Sequence, residues 1–297
     1  MLDKYIFGNV SRISPEAPIP VVEFHKEKKM LGGCGNVIRN LNNLGVKTDL
    51  VSAVGQDVAG NLLIEKLIER DVPVSNILRL NNLRTTEKMR IVADRQQVVR
   101  VDWNISNTNF GDDFLKVTDI ARCIDNVDGV IISDYAKGVC SGSLLKEVID
   151  ASHQNNIPVL IDPKGLNWGK YKNASLITPN TSEAEAILGK RLNSDDDFEI
   201  ACKKICSIYN IQACLITRGS DGMSFFCKDE KFHLKSNARE IFDVSGAGDT
   251  LISAMATGLV INIDYKEAAK FANQAAGIVV GHIGTSAVTT QELLNLN

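Results

Sequence analysis

Asp243-Val-Ser-Gly-Ala-Gly-Asp-Thr250, running into Leu251-Ile-Ser-Ala-Met-Ala-Thr-Gly-Leu-Val260, is the stretch on which the fold turns. Small residues precede an apolar helical pattern. Gly246, Ala247 and Gly248 let the backbone pass close to a ligand, and Ser245 is placed to cap the helix. The amide N–H groups would converge at a helix N-terminus, a ready site for an anion. Asp249 follows in the first turn. A carboxylate beside an anion hole suits phosphoryl transfer: the amides stabilise charge on the transferring group while the carboxylate accepts the proton of an attacking hydroxyl. Asp249 is therefore the candidate base, and Gly246, Ala247 and Gly248 form the candidate anion hole. A lone G-x-G would read as an ordinary turn; the full D-x-x-G-A-G-D string argues for a site.

Outward from this stretch, apolar runs of strand length alternate with helical patterns. Strands are expected over Asp49–Val54, Gly129–Ser133, Pro158–Asp162, Ser175–Thr178 and Ala213–Arg218. Helices are expected over Cys34–Leu44, Ala59–Arg70, Asp112–Ile124, Gly142–Asn155, Thr181–Leu188, Asp196–Tyr209, Gly248–Ile261 and Tyr265–Val280. Unbroken runs such as Gly129-Val-Ile-Ile-Ser and Val159-Leu-Ile-Asp are buried on both faces, as in a parallel sheet between helices. The pattern predicts an α/β fold with its functional groups beyond the carboxyl ends of the strands, where Asp134, Asp162, Asn180 and Arg218 fall. Ile19–His25 and Thr85–Trp103 break the pattern. They alternate as strands without helices between them, which predicts a small antiparallel layer spanning about residues 5–30 and 80–104. We read it as a lid over the site, and its half-polar surface as a dimer face.

Composition narrows the function. Of 297 residues, 44% are hydrophobic and 23% charged, which excludes a disordered or collagen-like chain, and the net charge of −3 gives no footprint for nucleic acid. The seven cysteines have irregular spacing and no C-x-x-C pair, which fits buried free thiols in a reducing compartment. His25, His153, His233 and His282 show no metal spacing. Met1–Val10 is not a signal peptide, and Leu251–Ile263 falls short of a membrane span. A cytoplasmic protein acting on a small molecule is expected, with no membrane partner.

Further segments carry a resemblance. Gly32-Gly33-Cys-Gly-Asn36, Val54-Gly-Gln-Asp-Val-Ala-Gly60, Asn180-Thr-Ser-Glu183, Thr217-Arg-Gly-Ser-Asp-Gly222 and the Asp243–Asp249 string occur in the order of the ribokinase-like carbohydrate kinases, the phosphofructokinase-B type, and the resemblance covers nearly the whole chain. It implies a single kinase domain over 1–297 that uses ATP and Mg²⁺, with a monovalent cation such as K⁺ common among members. It implies sugar contacts from Asp3, Gly32, Gly33 and Asn36, and nucleotide contacts from Asn180, Glu183, Thr217, Gly219, Gly222 and Asn273. Glu183 is associated indirectly with the magnesium. Within the family, Ser11–Pro18, Gln96-Gln97 with Arg100 and Asp102, Ser133–Gly138 and Asp162–Gly165 resemble the heptose 7-phosphate kinases, the kinase half of ADP-heptose synthases. That implies phosphorylation of D-glycero-D-manno-heptose 7-phosphate at O1 to the 1,7-bisphosphate, feeding lipopolysaccharide core synthesis, and a nucleotidyltransferase domain or partner enzyme. Gly281-His282-Ile-Gly is not the H-x-G-H motif of such a transferase.

A sugar phosphate needs cations away from the transferring phosphate. Arg12, Lys88, Arg90, Arg100, Lys137 and Lys164 are candidates; Arg90 and Lys137 are the preferred pair, and Asp134 is the candidate ligand for a sugar hydroxyl or a cation. Relatives begin with an apolar strand ahead of the acidic residue matched by Asp3, so that strand is expected to be missing and the native chain to be longer. Three other readings compete. A different sugar or sugar-phosphate kinase would share every motif outside the lid and Ser133–Gly138. A dinucleotide-dependent oxidoreductase would need the third glycine of G-x-G-x-x-G and an N-terminal position. A non-catalytic sugar-binding protein would not need Asp249.

Overall fold

The structure, a computed structural model, describes all residues except 95, 104–109, 229, 238–242, 283 and 296–297. The chain opens with two long strands, β1 (Leu2–Ile13) and β2 (Pro20–Leu31), paired antiparallel with a register shift at Phe7/Gly8. In β1, Leu2 and Tyr5 are buried while the distal end is exposed. Gly32-Gly33 then turns the chain into α1 (Cys34–Asn43), and Gly33 sits at φ +58°, where a side chain would be strained. Strand β3 (Ser52–Gly55), helix α2 (Val58–Ile68) and strand β4 (Ile77–Leu80) form a small parallel unit. The chain returns to the first layer through β5 (Glu87–Ala93) and β6 (Gln96–Trp103), giving the order β2-β1-β5-β6. The expected lid is there, with one difference: β1 and β5 run parallel, so the layer is not wholly antiparallel.

The helix expected over Asp112–Ile124 is two helices, α3 (Gly111–Val117) and α4 (Ile120–Ile124). Thr118 is extended, and the Asp119 side chain accepts the Arg122 amide, starting a new helix. The main sheet follows: β7 (Val130–Ser133), α5 (Gly142–Gln154), β8 (Val159–Asp162), β9 (Leu176–Ile177), α6 (Thr181–Leu188), α7 (Asp195–Tyr209) and β10 (Ala213–Thr217). Strands β7 to β10 are parallel, as the apolar runs predict. Two strands beyond that prediction, β11 (Met223–Cys227) and β12 (Lys231–Leu234), extend the sheet antiparallel. Helices α8 (Ala247–Val260), α9 (Tyr265–Val279) and α10 (Thr290–Leu294) close the chain. Alternate residues serve opposite faces. Leu160, Leu176, Ala213 and Leu215 pack with α8 and α9, whereas Val159, Ile161, Ile177, Cys214 and Ile216 pack with α5 and α7. Each Val, Leu or Ile side chain among them contributes about 1.5–3 kcal/mol by leaving water.

The six-stranded sheet, β12-β11-β10-β9-β8-β7, and the pair β3-β4 are not joined by hydrogen bonds. Between them lies a cavity of ≈ 1490 Å³ bordered by Ser52 and Ala53 of β3, Val130–Ser133 of β7, and helix residues including Ile38 and Leu144, with Met1 at its rim. β1 belongs to the lid sheet, and among the described residues no strand bridges β7 and β3. Among the described residues, no helix is long and apolar enough to cross a membrane.

Candidate active site

The loop ahead of α8 is shaped by its aspartates and glycines. Asp243 accepts the Ser245 amide at 2.8 Å and the Gly284 amide at 3.1 Å, which pins the turn. Gly246 takes φ +85° as N-cap of α8; Ser245 does not cap the helix. A Cβ on Gly246 would fall 2.6 Å from the Asn36 amide nitrogen, so a larger residue would push this site apart. The expected anion hole is partly revised. The Ala247 amide is bonded to the Val244 carbonyl at 3.2 Å, and Thr250 donates to the Gly246 carbonyl. Among the described residues the amides of Gly246, Gly248 and Asp249 have no partner. A Cβ on Gly248 would meet no protein atom within 4 Å, so the space beside that residue is open. Three unspent donors at a helix start fit a phosphate group.

Asp249 is 5% exposed. Its Oδ2 accepts from Asn36 Nδ2 at 3.0 Å and its Oδ1 from the Tyr135 hydroxyl at 2.7 Å. Arg39 fixes the Asn36 amide by donating to its Oδ1 at 3.0 Å, because a guanidinium can only donate. Burial pushes the Asp249 carboxyl up to about 6, and the Tyr135 and Asn36 bonds hold it from going higher. A carboxylate with that value is charged, and so able to take a proton, at neutral pH.

Asp3, Gly32, Gly33 and Asn36 converge beside it. A Cβ on Gly32 would lie 2.5 Å from the Asp3 carboxyl carbon, so only glycine fits there. Asp3 is buried; Arg90 Nη1 stands 3.2 Å from Oδ1, and Thr285 Oγ1 donates to Oδ2 at 3.0 Å. Arg90 also lies over the Tyr5 ring, 5.2 Å from its centroid. Burial disfavours the guanidinium charge, but Asp3, Tyr5 and Asp243 together outweigh it and the Arg90 pKa is raised. Arg90 therefore forms a buried ion pair with Asp3 beside the site. Lys88, two residues earlier on the same face of β5, reaches the Tyr135 ring at 5.6 Å from its centroid. Arg100 pairs with Asp102 and Lys164 with Glu183, so neither joins a common cluster, and Arg12 sits at the exposed end of β1.

Asp134 differs most from expectation. It is 3% exposed, its Oδ1 accepts the Ala136 amide at 2.6 Å, and its Oδ2 takes the Tyr171 hydroxyl at 2.7 Å and the Lys170 ammonium. It locks the turn carrying Tyr135 and Lys137 and is not presented to a sugar. Lys137 borders the cavity between Ala136 and Gly138, both at positive φ. Asp162, at the end of β8, is pushed well up by burial, then by the Asp249 and Glu183 charges.

On the other side, Asn180 and Glu183 form a capping box at the start of α6. Asn180 Oδ1 accepts the Glu183 amide at 2.9 Å, and Glu183 Oε2 accepts the Asn180 amide at 3.1 Å. The second Glu183 oxygen takes Lys164 at 2.7 Å. Thr217 ends β10, and Gly219 and Gly222 form the turn into β11 at φ +60° and +94°. Gly222 is indispensable, since a Cβ would collide with the Leu234 carbonyl. Asn273 on α9 donates to the Lys235 carbonyl at 2.7 Å, bracing the chain after β12. Among the described residues no three His, Cys, Asp or Glu side chains gather as a metal cage. Tyr5, Arg39, Tyr135 and Thr285 are the site residues the sequence does not reveal. Only the i, i+2 spacing of Lys88 and Arg90 signals their shared face.

A buried carboxylate beside unpartnered amides at a helix start, next to polar side chains from the β lid, is the arrangement of a phosphotransferase acting on a hydroxyl group. The chain belongs to the pfkB family of carbohydrate kinases, which it matches over residues 5–292. Among curated relatives it is 39% identical over 296 residues to the bifunctional protein HldE of Citrifermentans bemidjiense and 42% identical to that of Actinobacillus succinogenes, covering 99% of this chain and 61% of each relative. The chain thus spans about three fifths of the length of these relatives. Among solved structures it resembles phosphofructokinase-2 from Escherichia coli in complex with substrates and products (TM-score 0.80, 18% identity, 99% of this chain and 94% of that one). It also resembles Arabidopsis thaliana ribokinase complexed with ribose and ATP (TM-score 0.75, 20% identity, 99% and 96%). The ribokinase-like fold is thereby established.

Proposed function

We propose that this chain phosphorylates a heptose 7-phosphate, D-glycero-D-manno-heptose 7-phosphate, at its anomeric oxygen, with ATP as donor. One observation carries the chemistry: the Asp249 carboxylate lies in the first turn of α8, directly after the unpartnered Gly246 and Gly248 amides. The sugar assignment is supported by the likeness of Ser133–Gly138, Asp162–Gly165 and the lid to heptose kinases, and by the bifunctional relatives. The anomeric hydroxyl attacks the γ-phosphorus, the bond to the β–γ bridging oxygen breaks, ADP leaves, and the hydroxyl proton passes to Asp249. The amides of Gly246, Gly248 and Asp249 steady the charge on the equatorial oxygens. Asp3, Gly32, Gly33 and Asn36 hold the sugar hydroxyls, and Lys88 and Lys137 supply positive charge. ATP lies along Thr217–Gly222. Magnesium would be carried by the phosphates of ATP, with Glu183 acting on it at a distance; among the described residues no three His, Cys, Asp or Glu side chains gather. A monovalent cation near the anion hole belongs to the same reading, as do a cytoplasmic setting, a dimer through the lid and a nucleotidyltransferase partner or domain.

The test is ADP release with Mg-ATP against ribose, fructose, fructose 6-phosphate and the heptose 7-phosphate. Turnover confined to the heptose phosphate is the expected result. Turnover with another sugar alone would discard the substrate and keep the kinase.

A further inference from the structure

We propose that Tyr135, set by the buried Asp134, is a positioning residue that keeps the base of this kinase aimed and charged; this rests on Asp249 being that base. Three contacts place the ring. Its hydroxyl donates to Asp249 Oδ1 at 2.7 Å. Its edge stands 3.3 Å from where a Cβ on Gly33 would be, beside the sugar-binding turn. Its face looks toward Lys88 of the lid strand β5. Tyr135 therefore bonds the base and lies beside both the sugar turn and the lid.

The turn that presents it is fixed from below. Asp134 Oδ1 accepts the Ala136 amide, forcing a tight turn in which Ala136 sits at φ +52° and Gly138 at φ +90°. Asp134 Oδ2 is held by Tyr171 and Lys170, so the lock is itself locked. This accounts for a buried carboxylate that the phosphoryl-transfer steps do not use. A donor aimed at a carboxylate favours its charged form, and a carboxylate oxygen with one lone pair occupied still has another for the substrate proton. Tyr135 and Asn36 hold one oxygen each, which leaves the carboxylate a single orientation.

The groups facing Asp249 are Asn36 and Arg39 from α1, Asp3 from β1, Lys88 from β5, Tyr135 after β7 and Asp162 from β8. Among them only Tyr135 and Asn36 donate directly to the carboxylate. Burial outweighs them and sets the value about 6, while Asp3 opposes and Lys88 assists the charge. Removing the tyrosine hydroxyl takes away one direct donor and leaves the ring contacts in place.

The experiment is Tyr135→Phe read two ways. The first is the pH profile of kcat/KM with Mg-ATP and the sugar accepted by the wild type. The second is carboxyl carbon NMR titration of Asp249 in the free protein, which needs no turnover. We expect the acid limb and the NMR titration both to move up by about one pH unit, the effect of losing one hydrogen bond to a charged group. Activity should then be largely restored at alkaline pH. A uniform fall in kcat/KM with an unmoved limb and titration would overturn the proposal and leave Tyr135 a packing residue. If Asp249→Asn kept wild-type turnover, the base assignment itself would fall, which is a separate result from an unmoved limb.

Discussion

Asp249 is under two opposing demands. Deep burial favours its neutral acid, while proton abstraction needs the carboxylate. Its value of about 6 is the compromise, reached because Tyr135 and Asn36 return part of what burial removes. As a base it must be charged, so kcat/KM should rise through about pH 6 and level above it, with no gain from further alkalinity until other groups titrate. Asp249→Asn should lower turnover by about 10²-fold or more with ATP binding nearly unchanged. The same substitution should leave the protein as stable or raise its Tm by a few degrees at pH 7. A carboxyl whose folded pKa lies above its unfolded value makes the fold lose stability as pH rises from about 4 through 6, and the asparagine escapes that loss. Turnover and thermal unfolding measured on one preparation would separate lost chemistry from lost structure. At this scale the sequence was legible where residues are contiguous: Asp249, its glycines, and Asn36 beside Gly32-Gly33. Tyr135, Thr285 and Arg39 reach the site from separate segments, and no local spacing announces such convergence. Asp134 has the right chemistry for a ligand, but the fold spends both of its oxygens on itself.

Helix starts show how one motif serves both structure and site. The N-x-x-E spacing of Asn180–Glu183 is that of a capping box, and the structure uses it as one. Asn180→Ala should cost about 1 kcal/mol, read by urea unfolding, whereas Asn180→Asp should cost less because it keeps an acceptor at the cap. Asp57 does similar work for α2 and ties it to the root of the lid. One oxygen accepts the Gly60 amide and the other the Thr85 amide, both at 2.7 Å. Partial burial would raise its pKa, but the Thr85 and Gly60 bonds outweigh it and the carboxyl ends below its usual range. Its contribution is present above the unfolded value near 4 and is lost as acid takes the pH down through the folded one. Asp57→Ala should lower Tm at pH 7, and the loss should shrink as the pH falls through the lowered range of the folded carboxyl. The α3–α4 break was beyond a periodicity argument, since an apolar stripe continues across it and only the Asp119 cap interrupts the backbone. The β11–β12 hairpin escaped for a related reason: a short apolar run after Gly222 gives no sign of which sheet edge it will join.

For the molecule as a whole, the parallel sheet and the lid were legible because both rest on side-chain period, unbroken in β7, β8 and β10 and alternating in β6. The arrangement of the two sheet pieces was not, because strand neighbours are chosen by packing across the chain. The ≈ 1490 Å³ cavity between β7 and β3 has a consequence for how the protein breathes. On the side away from β8, alternate backbone groups of β7 have no ladder, and the Ser133 hydroxyl is buried without a partner. Buried backbone normally exchanges its hydrogens last, and rims exchange first. Hydrogen exchange should show the reverse here: amides of Ile131 and Ala53 trading with solvent well before those of β8 and β10, and uniform protection across all four strands would contradict it. The softest region would then be the middle of the molecule, with the firm parts arranged around it.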